Sequence, residues 1–145
     1  MQCLLLALAI GAALAGCSSA QNEPEFLVAP EAATRPFSPA VRAGGLLFLA
    51  GKLGTDSTGQ LAPGGIRAET RQAMENIGVE LRKVGSSFGR VVKCTVFLVD
   101  MSEWEAMNEV YATYFEVGKR PARTAVAVSG LARDGRVEIE CVAGA

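Results

Sequence analysis

Residues 121–142 place the strongest constraint on the fold: they read PARTAVAVSGLARDGRVEIECV, two β-forming segments separated by a short polar stretch. Residues 124–128 (T-A-V-A-V) and 137–142 (V-E-I-E-C-V) have the apolar and β-branched content of half-buried strands. Between them lies Asp134-Gly135, a turn dipeptide, so the economical expectation is a β-hairpin. That hairpin would set Arg123 at the start of one strand and Glu138 near the end of the pairing region of the other, both facing one small pocket. A guanidinium and a carboxylate so placed are either a structural ion pair or the two halves of a site for a small anionic molecule.

Composition narrows the chemistry. The chain has 145 residues, half of them apolar, and a net charge of -1, which describes one compact domain. It contains no histidine, which removes Ser/His/Asp and Cys/His catalysis and most zinc sites. None of its four cysteines is spaced as C-x-x-C, so no metal site is expected. Without a cluster of lysine and arginine, nucleic acid is not an expected partner, because its binding depends on neutralising phosphates.

The N-terminal region carries a separate signal. Residues 4–14 are an unbroken run of Leu, Ala, Ile and Gly, shorter than the ~20 residues a membrane-spanning helix needs but suited to the core of a signal peptide. The run leads into Leu14-Ala15-Gly16-Cys17, which resembles the lipobox of bacterial lipoproteins, although Met1-Gln2 supplies no positive charge ahead of it. That resemblance implies a signal peptide over residues 1–16 and lipidation of Cys17. Ser18 in the next position implies the periplasmic face of the outer membrane as destination. Residues 17–34, small, polar and punctuated by proline, then read as a flexible tether, and residues 35–145 as the folded domain. The alternative for the apolar run is a buried N-terminal helix.

Within the domain, residues 46–50 read as a buried strand and Asp56-Ser57-Thr58-Gly59 as a turn. A helix is expected over residues 66–84, where Met74, Ile77, Leu81 and Val84 make one apolar stripe. Residues 91–99 (V-V-K-C-T-V-F-L-V) form the longest strand candidate. A second helix is expected from Ser102, with Glu105 completing an S-x-x-E capping box and Gly118 as its stop. Its buried face would be Trp104, Met107, Tyr111, Tyr114 and Phe115, spaced as core rather than as a binding surface. The resulting order is an α+β domain with helices against a mixed sheet.

K-C-T-V-F-L-V-D at 93–100, M-N-E-V-Y-A-T-Y-F at 107–115 and the P-A-R-T-A-V and V-E-I-E segments together resemble the RidA family of reactive-intermediate (imine and enamine) deaminases. The resemblance covers residues 35–143. It implies a fold like the chorismate mutase of the Bacillus type, with a mixed β-sheet, two helices on one face, and a homotrimer whose sites lie at subunit interfaces. The implied reaction is hydrolysis of 2-imino or enamine acids to 2-oxo acids and ammonia, with no metal and no cofactor. Arg123 falls on the family's carboxylate-binding arginine and Glu138 on its water-orienting glutamate, while Phe37, Ala50, Gly51, Asn108 and Ala125 fall at substrate-binding positions. Three of these depart from the family's pattern: Phe37 stands for a tyrosine, Ala50 for a serine and Ala125 for a cysteine, each change removing a polar or polarizable group. A catalytically silent trimer that binds small carboxylates or partner proteins is the alternative from another class, and the lack of a basic patch disfavours ribonuclease activity. Lys52 is expected as a solvated surface residue. Cys94 and Cys141 fall on neighbouring strands of the implied sheet, where two buried free thiols are expected in preference to a disulfide.

Overall fold

The computed structural model describes residues 23–28 and 34–145. The expected signal peptide, Cys17 and most of the expected tether lie outside the described residues. One described part of that tether is not linker: Glu25–Leu27 forms a short edge strand, β1, paired antiparallel with β2 (Ala40–Ala43). Strand β3 (Leu46–Leu49) follows through Gly44-Gly45. Both glycines have left-handed φ values, 56° and 77°, which a two-residue hairpin turn requires and which cost glycine no steric strain.

The remaining elements are β4 (Lys52–Leu53), α1 (Ile66–Lys83), β5 (Val91–Leu98), α2 (Trp104–Tyr111), β6 (Ala122–Ala127) and β7 (Val137–Gly144). They build one mixed sheet of order β1-β2-β3-β7-β5-β6, with β4 also paired to β7. Helix α1 follows its apolar stripe as expected, burying Ala73, Met74, Ile77 and Leu81. Helix α2 starts two residues later than the capping box predicts. The carboxylate of Asp100 accepts the backbone N–H of Ser102 at 2.8 Å and opens a 3-10 turn, so Ser102 lies inside the turn instead of capping it. An ionised acceptor takes that donor more strongly than a neutral hydroxyl takes one. The helix also ends well before Gly118, passing into a 3-10 turn at residues 112–114.

The expected C-terminal hairpin does not form. Strand β5 lies between β6 and β7, parallel to the first and antiparallel to the second. Helix α2 serves as the crossover that parallel neighbours require, and a strand flanked on both sides buries Val96 and Leu98 completely. The turn residues with left-handed φ are Arg133 (60°) and Asp134 (59°), not Gly135. Gly135 packs against Leu53, where an added Cβ would meet Cδ2 at 2.9 Å and turn that side chain's end aside.

Both helices cover one face of the sheet, packing on Leu47, Val96, Leu98, Val137 and Ile139. The other face is open and carries Phe48, Thr95, Phe97, Thr124, Val126, Glu138, Glu140 and Val142, as strict alternation along β3, β5, β6 and β7 dictates. Cys94 and Cys141 stand opposite each other on β5 and β7 and are joined as a disulfide, not left as the two free thiols expected.

Strand β4 is only two residues long and depends on α1 for its place. Asn76 donates to the carbonyls of Leu53 (3.0 Å) and Thr55 (2.9 Å). Lys52 pairs with Glu80 at 3.2 Å with both side chains only 13% exposed, so it is not the solvated lysine expected. Gly54 lies directly on the helix backbone, where an added Cβ would sit 2.4 Å from Glu69 O and 2.5 Å from Glu69 Cα. Gly54→Ala is therefore expected to destabilise the fold by about 1–3 kcal/mol through overpacking, read from the urea midpoint. An unchanged midpoint would mean that this segment is not seated on α1.

Candidate active site

Arg123 pairs in register with Cys94, whose side chain points into the core, so the arginine leaves β6 on the helix-covered face. There its guanidinium lies 4.7 Å from the ring centre of Tyr111 and 5.8 Å from that of Trp104, both within cation–π range. The aromatic series expected as core therefore divides. Met107, Tyr111 and Phe115 are buried, whereas Trp104 is 40% exposed and joins Tyr111 as a bed for the arginine. Helical spacing reveals the stripe but not the cation that arrives from a separate strand. Among the described residues no carboxylate pairs with Arg123.

A cleft of about 440 Å³ opens beside it, lined by Asn108, Tyr111, Ala112, Arg120, Pro121 and Arg123. Two polar atoms of its wall residues, Asn108 Oδ1 and the Tyr111 hydroxyl, are buried without a hydrogen-bond partner. Both atoms have almost no accessible surface, so they belong to the packing behind the wall, and the cation that lines the cleft is Arg123. Burial pushes the Tyr111 hydroxyl up to about 12, against the opposing pull of the Arg123 charge, and keeps it a neutral donor. Ala125, two residues beyond Arg123, is half-buried against the core on the same face.

Glu138 stands elsewhere. It pairs with Phe97 on β5 and with Leu53 on β4, and its side chain is on the open face. Its carboxylate lies over Gly51, where a Cβ would meet Glu138 Oε1 at 2.2 Å. The neighbouring Ala50 is half-buried and donates its backbone N–H to Pro39 O at 3.0 Å. Phe37 is 53% exposed on the segment leading into β2. The sequence-predicted residues thus form two groups in one chain, Arg123, Asn108 and Ala125 on the helix-covered face and Glu138 with Gly51 on the open face. Arg123 and Glu138 do not share a pocket within a single copy, contrary to the hairpin expectation, because β5 separates them and the alternation turns them to opposite sides.

Residues 26–145 match the family model described as Endoribonuclease L-PSP. The chain belongs to the RidA/L-PSP family. It is similar to the 2-iminobutanoate/2-iminopropanoate deaminase of Mus musculus, 46% identical over 113 residues that cover 77% of this chain and 83% of that one. A RutC family protein of Pyrococcus horikoshii is 48% identical over 109 residues, covering 74% and 86% of the two chains. Among solved structures, RidA from an Antarctic Psychrobacter is 36% identical with a TM-score of 0.72, covering 79% of this chain and 92% of that one. The RidA/L-PSP fold, a mixed sheet with two helices on one face, is the one expected above.

In this member of the RidA/L-PSP family the bed of Arg123 can be tested by titration. Because Tyr111 ionises higher in the fold than the ordinary 10.0, its burial contributes stability fully below pH 10.0 and loses it as pH rises to about 12. Ultraviolet difference titration should show a tyrosine ionising near 12 that Tyr111→Phe removes. Arg123→Ala should move this ionisation higher still, since the guanidinium pulls it down. An ordinary phenol titration at this position would mean that the ring is solvated and not packed beneath the arginine.

Proposed function

We propose that the protein hydrolyses reactive 2-imino and enamine acids to 2-oxo acids and ammonia. The observation that carries this reading is the cleft lined by Arg123, whose guanidinium lies over the Tyr111 ring and, among the described residues, has no carboxylate partner. A 2-imino acid presents a carboxylate that answers this cation, with the C=N carbon one bond away. The names of the relatives, at 46% identity in the mouse protein, support the same reaction.

The chemistry asks little beyond position. Arg123 holds the carboxylate bidentately and so fixes which face of the C=N bond meets water. Glu138 orients the water, takes one proton as the oxygen adds to carbon and passes it to the imine nitrogen, giving a carbinolamine. In its collapse the carboxylate takes the hydroxyl proton and delivers it to nitrogen, so that ammonia leaves and the 2-oxo acid remains. The imine carbon is already electrophilic, so alignment supplies most of the effect.

Because Arg123 and Glu138 project from opposite faces of one sheet, this mechanism requires Glu138 from a second copy. A homotrimer with the sites at subunit interfaces is the assembly that the family resemblance implies. The open sheet face supports such an assembly, with Phe48 45% and Val126 37% exposed among paired strands. The chain is further proposed to be exported and held by lipid on Cys17 at the periplasmic face of the outer membrane. The lipobox-like Leu14-Ala15-Gly16-Cys17 supports this, as does the Cys94–Cys141 disulfide, a bond that persists in oxidising compartments. The family match begins at residue 26, so Cys17 lies ahead of the family's domain.

The purified chain should accelerate 2-oxo acid release from an imine made in situ by an amino-acid oxidase, and Arg123→Ala should reduce the acceleration to background. Equal rates for the two proteins would leave a carboxylate-binding module in place of an enzyme. Co-assembly of Arg123→Ala with Glu138→Gln subunits should restore about a quarter of the sites, since random mixing pairs an intact arginine with an intact glutamate that often. Recovery of no activity would sink the shared site, and native mass spectrometry should count three copies. For the anchor, Cys17→Ser should move the protein from the membrane fraction to the soluble one, and unchanged fractionation would rule lipidation out as the attachment.

A further inference from the structure

We propose that the cleft selects imines bearing a second carboxylate, and that Arg120 is the residue that recognises it. This rests on the reading of Arg123 as the clamp for the first carboxylate.

Two of the six residues that one copy contributes to the cleft are arginines, Arg120 and Arg123, and none of the six is acidic. Arg120 is exposed on the cleft wall, and among the described residues no carboxylate pairs with it. The nearest acid along the chain, Glu116, is already taken by Lys119 at 2.9 Å, so it does not neutralise the cleft. At most about 10 Å of extended chain separates the Cα atoms of Arg120 and Arg123, and two arginine side chains can close that gap onto the ends of a four- or five-carbon diacid. Pro121 between them fixes its own φ and removes a backbone donor, which stiffens this spacing.

Ala112, Pro121 and the ring of Tyr111 give the cleft an apolar lining that suits the carbon chain between two carboxylates. A substrate with a neutral side chain would leave Arg120 unpaired beside it. A dicarboxylic imine would occupy both cations. A cation at a cleft mouth also steers any anion inward, but steering raises the capture of all carboxylates together and fades with salt. Recognition by a planar fork is particular to the ligand that carries the second carboxylate.

The test compares imines generated in situ from glutamate or aspartate by an oxidase of acidic amino acids with imines generated from alanine or leucine by a general amino-acid oxidase. With the full chain, kcat/KM for the dicarboxylic imines should exceed that for the neutral ones, and Arg120→Ala should cut this ratio about 10- to 100-fold, mainly through KM. Arg120→Lys should restore part of the ratio. Binding supplies a readout independent of turnover: 2-oxoglutarate should bind more tightly than pyruvate at moderate salt, with the difference erased in Arg120→Ala. Neutral imines hydrolysed as well as acidic ones, or a ratio that Arg120→Ala leaves unaltered, would overturn the proposal and leave the deaminase reading standing. Hydrolysis of no imine, with 2-oxoglutarate still bound preferentially through Arg120, would keep this selectivity and remove the deaminase reading.

Discussion

The alternation of side chains across β5 is the constraint on which the rest of this molecule depends. Arg123 and Glu138 take their facing from their partners on that strand, Cys94 and Phe97, which stand an odd number of residues apart. An odd separation means opposite faces, whatever the loops do. The cation is therefore delivered to the helix side, where α2 supplies aromatic rings to receive it, and the carboxylate to the open side. A register slip of one residue in either pairing would bring both onto one face. The separation of the two residues within one copy thus follows from the sheet itself.

Strand β4 shows how a weak element can hold a functional one. Two residues make too short a strand to persist alone, yet Lys52–Glu80 and the two bonds from Asn76 tie it to α1. Glu69, buried at the start of α1, accepts the backbone N–H of Arg136 at 2.8 Å and so ties the entry of β7 to the same helix. Glu138 sits two residues beyond that contact and over Gly51, one residue before β4. Its carboxylate is thus bracketed by two attachments to one helix. Glycine at 51 is what lets it rest on the backbone, where any larger residue would displace it.

The elements were largely legible in the sequence, while their pairing was not. The 3.6-residue stripe of α1 and the β-branched run of β5 are local signals, and the structure keeps both. The hairpin inferred around Asp134-Gly135 relied on proximity in sequence, and a strand from earlier in the chain took the place of the expected neighbour. The capping box failed for a local reason, since Asp100, two residues ahead, supplied the better acceptor. Trp104 and Tyr111 were legible as one face of a helix, but what lies on that face comes from β6, beyond the reach of periodicity. Arg123 and Glu138 were visible as residues through the family's motifs. Their separation was visible only through the register.

The departures at Phe37, Ala50 and Ala125 fit a site that works by position. Each removes a hydrogen-bonding or polarizable group, and Arg123 on its aromatic bed and Glu138 on Gly51 are both in place beside them. A reaction whose substrate is already electrophilic tolerates the loss of auxiliary donors better than the loss of alignment. Alignment is also where this chain has a covalent connection. Arg123, Cys94 and Cys141 lie on one rung across β6, β5 and β7, and the disulfide joins two of the three strands at the level of the arginine. A crosslink between residues 47 apart removes far more freedom from the unfolded chain than from this sheet, worth about 4 kcal/mol in the chain-entropy picture. It ties the strand carrying Glu138 to the strand against which that of Arg123 is docked, so one bond braces the supports of both residues.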